Sequence, residues 1–199
     1  AYSEGFNPHL KFSLASALGV GVVSYTEFVE IELAEPMEVE KAALALDAAL
    51  PRGIRVLAAD AVDTHHAALM SQAAGASYRV TLPYSKDVSV AVAEFNAAPE
   101  LLFKKAAPKT KAKFKDIDVK FYIPQLTAEQ TETETIFSFD CKITPTGSMK
   151  AVDLLNALNE QYGLALPVEM ADIERLRLYR NNKNGKPIPM LNSDAVTLG

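Results

Sequence analysis

The chain has 199 residues, 49 % of them hydrophobic and 23 % charged, with a formal net charge of -5. This balance is too apolar for a disordered chain, and at this length roughly 70 % of the unfolded surface is available for burial, so a real core is expected. No run approaches the ~20 apolar residues of a membrane span, no secretory leader pattern is visible, and net acidity disfavours indiscriminate nucleic-acid binding.

The single cysteine, Cys141, has no second cysteine to pair with, which predicts a reducing, cytoplasmic setting. One thiol also falls short of the three that a radical S-adenosylmethionine iron–sulfur cluster needs, and no cofactor is expected within this chain. Charge is unevenly spread. Between Phe12 and Glu40 there are six glutamates and no basic residue, whereas Lys104 to Lys120 holds seven lysines against two aspartates.

Taken in order, Lys11 to Leu18 alternates Phe12, Leu14, Ser16 and Leu18 with smaller or polar positions, the period of a strand with one buried face. Val29, Ile31 and Leu33 alternate in a second strand, predicted to pair with the first. Glu35-Pro36 opens a helix on which Val39, Ala43, Leu46 and Leu50 recur until Pro51 and Gly53 stop it. Ile54 to Val62 returns as a strand. Strand, strand, helix, strand are the last four elements of a ferredoxin-like βαββαβ unit that lacks its first strand and helix.

The second half repeats the pattern more fully. Tyr78, Val80 and Leu82 predict a strand, and Val88, Ala91, Val92 and Phe95 share one face of a helix begun near Ser85. Ile117, Val119, Phe121 and Ile123 alternate in one strand, placing Phe121 in the core, and Phe137, Phe139, Cys141 and Ile143 alternate in another. A hairpin through Gln130 to Glu134 joins them. Ser148 is expected to cap a helix carrying Val152, Leu155, Leu158 and Tyr162, ended by Gly163 in the left-handed conformation. Glu174, Leu176 and Leu178 close the unit as an edge strand. The expected organisation is α+β, two tandem ferredoxin-like halves: a truncated half over residues 1–63, a connector over 64–77, a fuller half over 78–180, and a loose tail over 181–199.

The chemically densest stretch is Tyr2-Ser3-Glu4-Gly5-Phe6-Asn7-Pro8-His9, with one of the three histidines behind a rigid Asn-Pro turn. His9 suits a structural turn, a ligand or RNA contact, or, with Glu4, a general acid or base. Adjacent His65 and His66 point apart on any regular backbone and read as a solvated linker rather than a metal pair. The lysines around Lys109, Lys111 and Lys113 read either as a solvated hairpin or as a surface for nucleic acid or an acidic partner, with Phe103, Phe114, Phe121 and Tyr122 as candidate stacking faces.

The Tyr2 to His9 segment, continuing through Lys11-Phe12-Ser13-Leu14-Ala15, the Gly19-Val20-Gly21 turn and Ser24-Tyr25-Thr26-Glu27-Phe28, resembles the uncharacterised bacterial family of radical SAM-associated proteins. The similarity returns weakly at Thr110-Lys111, at Asp118 to Ile123 and at Thr146 to Leu158. Leu10 departs from a family proline, Ala112-Lys113 from a Lys-Gly turn and Ala151 from a proline. The resemblance implies a radical SAM protein as partner, encoded beside or fused to this domain. It also implies a basic segment before the motif, so a chain beginning at Ala1 is read as a fragment or processed form.

Together these features predict a non-enzymatic accessory domain that binds RNA or docks on the radical SAM protein. The surfaces would be Tyr2, Ser3, Glu4, Gly5, Phe6, Asn7, Pro8 and His9, with Lys109, Lys111 and Lys113. One alternative is an RNA-processing or RNA-modifying subunit using His9. The other is an oligomerisation scaffold in which Glu30 and Glu32 meet the lysines of another copy.

Overall fold

A computed structural model of the chain describes residues 11–63, 65–106 and 113–198. Its elements in order are β1 (Phe12–Leu14), β2 (Val22–Ser24), β3 (Val29–Ile31), α1 (Val39–Ala49), β4 (Ala58–Ala59), α2 (Leu69–Gln72), β5 (Gly75–Leu82) and α3 (Ser89–Ala97). There follow β6 (Leu102–Ala106), β7 (Phe114–Asp118), α4 (Val119–Tyr122), β8 (Leu126–Gln130), β9 (Thr135–Thr144), β10 (Gly147–Ser148) and α5 (Ala151–Tyr162). A 3-10 turn (Val168–Met170) leads into β11 (Asp172–Asn181), β12 (Pro187–Pro189) and β13 (Val196–Thr197). The architecture is mixed α+β with several helices and a large, partly mixed sheet. No helix among the described residues is long and apolar enough to cross a membrane.

The described residues divide into two compact units that interleave in sequence: residues 11–16, 28–73 and 180–198 form one, and residues 17–27 and 74–179 the other. In the first unit β1 and β3 pair antiparallel, with Ser13 opposite Glu30, as the alternation of their apolar residues predicts. Helix α1 ends where Pro51 follows Leu50, and Gly53 takes a φ of +93°. Asp47, in the last turn of α1, accepts bonds from Arg55 Nε (2.9 Å) and the Val56 amide (2.8 Å), which fasten the returning chain to the helix. Of the strand predicted over Ile54 to Val62 only β4 forms, and it pairs with β13 near the C-terminus.

The second unit is built on β5 and β9, paired antiparallel from Gly75↔Lys142 to Leu82↔Thr135. β8 pairs with the other edge of β9, and β11 with the other edge of β5, giving the order β8-β9-β5-β11 with every neighbour antiparallel. β2 then adds to β11 in parallel, which makes the sheet mixed. Because side chains alternate across a strand, Tyr78, Val80, Leu82, Phe137, Phe139 and Cys141 share one face. They form one buried cluster with Val88 and Phe95 around α3 and with Leu154, Leu155 and Leu158 of α5. Each such fully buried side chain contributes about 1.5–3 kcal/mol relative to exposure. Asn96 of α3 brackets the start of β8, donating to the Leu126 carbonyl (2.8 Å) and accepting from the Leu126 amide (2.9 Å). Gly163 ends α5 with φ +65°, as predicted.

Four expectations are corrected here. The alternation of Ile117, Val119, Phe121 and Ile123 is not one strand: β7 stops at Asp118, whose carboxylate accepts from the Lys120 and Leu101 amides and starts the short helix α4. Val119 and Ile123 are fully buried and Phe121 is 51 % exposed, so the helical i, i+4 spacing wins over the period of two and Phe121 is not core. The strand that does pair with β9 is β8, through the expected turn at residues 131–134, where the Thr131 amide donates to the Glu134 carbonyl. Ser148 lies in β10, and α5 begins after Lys150 without a side-chain cap. Finally, β11 is no edge over residues 173–175, because β2 covers its outer side there.

Tyr179 lies across Gly75, where an added Cβ would sit 2.3 Å from the phenol oxygen and 2.4 Å from the ring. Gly75→Ala is therefore expected to lower stability by about 1–3 kcal/mol, and Tyr179→Leu added to it to restore most of the loss. Denaturant unfolding of the two variants checks both signs.

Candidate functional site: a buried arginine clasp and a lysine arm

β2 is short, and its attachment depends on side chains. Alternation along β11 puts Arg175 on the core side of the sheet, with Ile173, and a register shift between Arg175 and Arg177 leaves Glu174 and Arg177 on the other. Arg175 is only 1 % exposed, and among the described residues no larger side chain is so fully buried. Its guanidinium meets Glu27 in a two-pronged pair: Nε donates to Oε1 at 2.8 Å and Nη2 donates to Oε2. Ser24 Oγ donates to the same Glu27 carboxylate, and Arg175 Nη1 lies 3.4 Å from the Ala17 carbonyl oxygen.

The neighbours of Glu27 complete the attachment. The Tyr25 amide donates to the Arg175 carbonyl (3.3 Å), and Thr26 Oγ1 donates to the Leu176 carbonyl (3.2 Å). Tyr25 Oη donates to Glu174 Oε1 (2.5 Å), and Arg79 Nε reaches Glu174 Oε2 (2.6 Å). Arg79 and Tyr25 together hold the Glu174 carboxyl below its usual pKa, and the Glu174 charge in turn raises the Tyr25 phenol. Every member of the Ser24-Tyr25-Thr26-Glu27 run thus has a bond to β11 or to the arginine β11 supplies. Burial raises the Tyr78 phenol beneath, against the pull of the Arg175 charge.

The sheet face away from the helices is polar. Arg177 Nε donates to Ser77 Oγ (2.8 Å), Ser77 in turn bonds Asp140, and the Arg177 guanidinium stands 5.7 Å from the Tyr179 ring centre. Acids and bases alternate here, so the face has no single sign. Between α3 and α5 a cleft of about 360 Å³ opens beside Asp87, Glu94 and Tyr162.

The lysine-rich feature is the β6–β7 pair, a two-stranded arm of its own. Its inner side is fastened to the second unit: Phe103 is part of the core, and Lys105 Nζ bonds Asp153 Oδ2 at 2.5 Å in the first turn of α5. Lys105 stands directly opposite Lys115, a like-charge juxtaposition that costs stability, and Asp153 neutralises only the Lys105 side. Lys113, just before β7, is exposed and takes a left-handed φ of +59°. An L-residue there costs roughly 1–2 kcal/mol relative to glycine.

Of the predicted site residues, Tyr2, Ser3, Glu4, Gly5, Phe6, Asn7, Pro8 and His9 lie outside the described residues, as do Lys109 and Lys111. Lys113 is described, on the arm. His65 and His66 sit beside Asp63 in the first unit. His66 Nδ1 faces the Asp63 carbonyl, and Nε2 lies 3.1 Å from Glu30 Oε2, which also accepts from the Leu69 amide (3.2 Å). Both ring nitrogens face acceptors, so this arrangement suits the doubly protonated ring. Its pKa is raised, first by the Asp63 carbonyl and then by Glu30, against partial burial. No group of three histidines, cysteines or carboxylates among the described residues is placed to hold a metal. Cys141 is buried with its thiol pushed up to about 11, a protonated and unreactive form at neutral pH.

Sequence reasoning did not find Arg175. The Glu-Arg-Leu-Arg pattern of β11 reads as solvated, and the sole hint was that Arg175 shares the parity of Ile173.

These features define an α+β protein with an arginine-clasped sheet and a lysine-rich two-stranded arm. Residues 1–153 match the family described as uncharacterized protein conserved in bacteria (DUF2344), and the chain belongs to that family. The match includes β2 and the arm and ends before β11. No curated protein matches the chain.

Removing the carboxylate from the clasp should be costly, because a buried guanidinium then loses its counter-charge. Glu27→Ala is expected to destabilise by about 3 kcal/mol, whereas the paired Glu27→Leu, Arg175→Met change should cost far less; unfolding of the double-mutant cycle measures both. The His66 contact has the opposite pH dependence to a carboxylate pair. Since its folded pKa lies above 6.5, its stabilising effect is complete below that value and fades as pH rises through the folded pKa. The stability gap between wild type and His66→Leu should accordingly narrow from mildly acidic to alkaline pH in denaturant melts.

Proposed function

We propose that this chain is an accessory domain of a radical SAM system, working in the cytoplasm, that holds RNA through its lysine-rich β6–β7 arm. The observation that carries the RNA reading is the arm itself. From Lys104 to Lys115 the chain has six lysines and no carboxylate, and the arm keeps Lys105 and Lys115 face to face despite their repulsion. Such local positive charge within a chain of net charge -5 suits a polyanion held at one place rather than over the whole surface.

Membership of the bacterial family supports the radical SAM partner, together with the concentration of the resemblance in Tyr2 to His9. In this reading that N-terminal segment is the docking surface for the partner. The partner brings the iron–sulfur cluster, since this chain has one cysteine and it is buried. We also read the second unit as a ferredoxin-like βαββαβ half with the arm inserted after its first helix, supported by the strand order β8-β9-β5-β11 and by α3 and α5 burying against one face.

The test is the salt dependence of RNA binding. For the wild-type chain and a labelled RNA oligonucleotide, log K should fall linearly with log salt concentration, and Lys104→Ala, Lys113→Ala and Lys115→Ala should each flatten the slope by about 0.7. Fluorescence anisotropy across a salt series measures this. Absent or salt-independent binding would remove RNA from the proposal.

A further inference from the structure

Ladder register divides the arm into two faces. Phe103, Lys105, Lys115 and Ile117 alternate to the inner side, where Phe103 and Lys105 are tied down. On the outer side stand Leu102, Lys104, Ala106, Phe114, Asp116 and Asp118. Here Leu102 is 60 % exposed and Phe114 is 54 % exposed. Phe114 faces Ala106 across the ladder, so no bulky side chain stands over its ring from the partner strand. Asp116 faces Lys104 directly and holds one carboxylate at the base of the arm, away from the Phe114 end.

The other aromatics of the basic stretch have different settings. Phe103 is buried, and Phe121 packs edge-on against Tyr122 with Lys142 Nζ 5.1 Å from its ring centre. Phe114 is therefore the aromatic that sits among the arm's lysines with an open face. Exposed aromatics beside a single-signed row of lysines are the two halves of single-strand recognition: a base stacks on the ring, and the adjoining phosphates meet the ammonium groups. Duplex bases are already stacked on one another and offer no free π-face.

A second observation bears on Lys113. The backbone here is left-handed, φ +59°. Lysine at a site whose backbone favours glycine is a local strain, and strain of this kind collects at functional positions.

We infer that the outer face of the β6–β7 arm is a stacking platform for single-stranded RNA, with Phe114 receiving a base and Lys104 and Lys113 holding the flanking phosphates. This deepens the RNA reading above and rests on it.

The experiment compares binding of a labelled single-stranded oligoribonucleotide and of a blunt RNA duplex to the full chain. Phe114→Ala should weaken single-strand binding roughly five- to a hundred-fold and leave both duplex affinity and the salt slope unchanged, while Phe114→Tyr, which keeps the ring, should bind as wild type. Lys113→Gly should fold at least as stably as wild type, because it relieves the left-handed strain, yet show a flatter salt slope. If Phe114→Ala binds single strands as well as wild type while the salt slope persists, the platform is overturned and the RNA reading stands. Equal losses for single strand and duplex would overturn the selectivity. If wild type binds neither RNA, the RNA reading fails and the platform with it.

Discussion

The Arg175–Glu27 pair is the constraint around which the second unit is arranged. A guanidinium that is 1 % exposed forfeits its hydration, and only a carboxylate in two-pronged register with further hydrogen bonds can offset that loss. Meeting this demand fixes much else. β2, which leads into Glu27, lies parallel to β11, Ser24 turns its hydroxyl toward the same carboxylate, and Thr26 and Tyr25 fall opposite acceptors on β11. Among the described residues every buried side-chain nitrogen and oxygen has a partner, so the clasp is a satisfied network rather than a stranded charge.

The sheet beneath the clasp separates two kinds of surface. One face is filled by α3 and α5 and is apolar from Val80 to Cys141; the other carries arginines, carboxylates and hydroxyls in alternation and has no dominant sign. The basic arm departs from this neutrality. Its inner side is bound by Phe103 in the core and Lys105 on Asp153, so its position is set by burial and one ion pair, while Phe114, Lys104, Lys113 and Lys115 are exposed.

How far the sequence could be read depended on where each pattern was decided. The β1–β3 pair, α1, α3, β9, α5 and its Gly163 terminus were legible because apolar spacing and backbone-specific residues act locally. Phe121 was misread because a run of alternating apolar residues at Ile117 to Ile123 fits two periods, and the choice fell to Asp118, whose carboxylate caps α4 and ends β7. The site was less legible than the fold. The lysines announced a charged element, yet nothing local told which of four aromatics stays exposed, and Arg175 looked like one more solvated charge on a polar strand.

By itself the sequence determined the α+β class, the lysine concentration in one stretch, and the chemical density of the Tyr2 to His9 run, all properties of composition and of contacts within a few residues. Only the tertiary structure decided that the strand leading into Glu27 lies parallel to a strand about 150 positions away, as in the Ser24–Arg175 separation of 151 residues, and that Arg175 is buried there against Glu27. Parallel pairing leaves no hairpin turn in the sequence to announce it. A buried charge becomes stable only when its partner arrives from elsewhere in the chain, so no local pattern could have shown it.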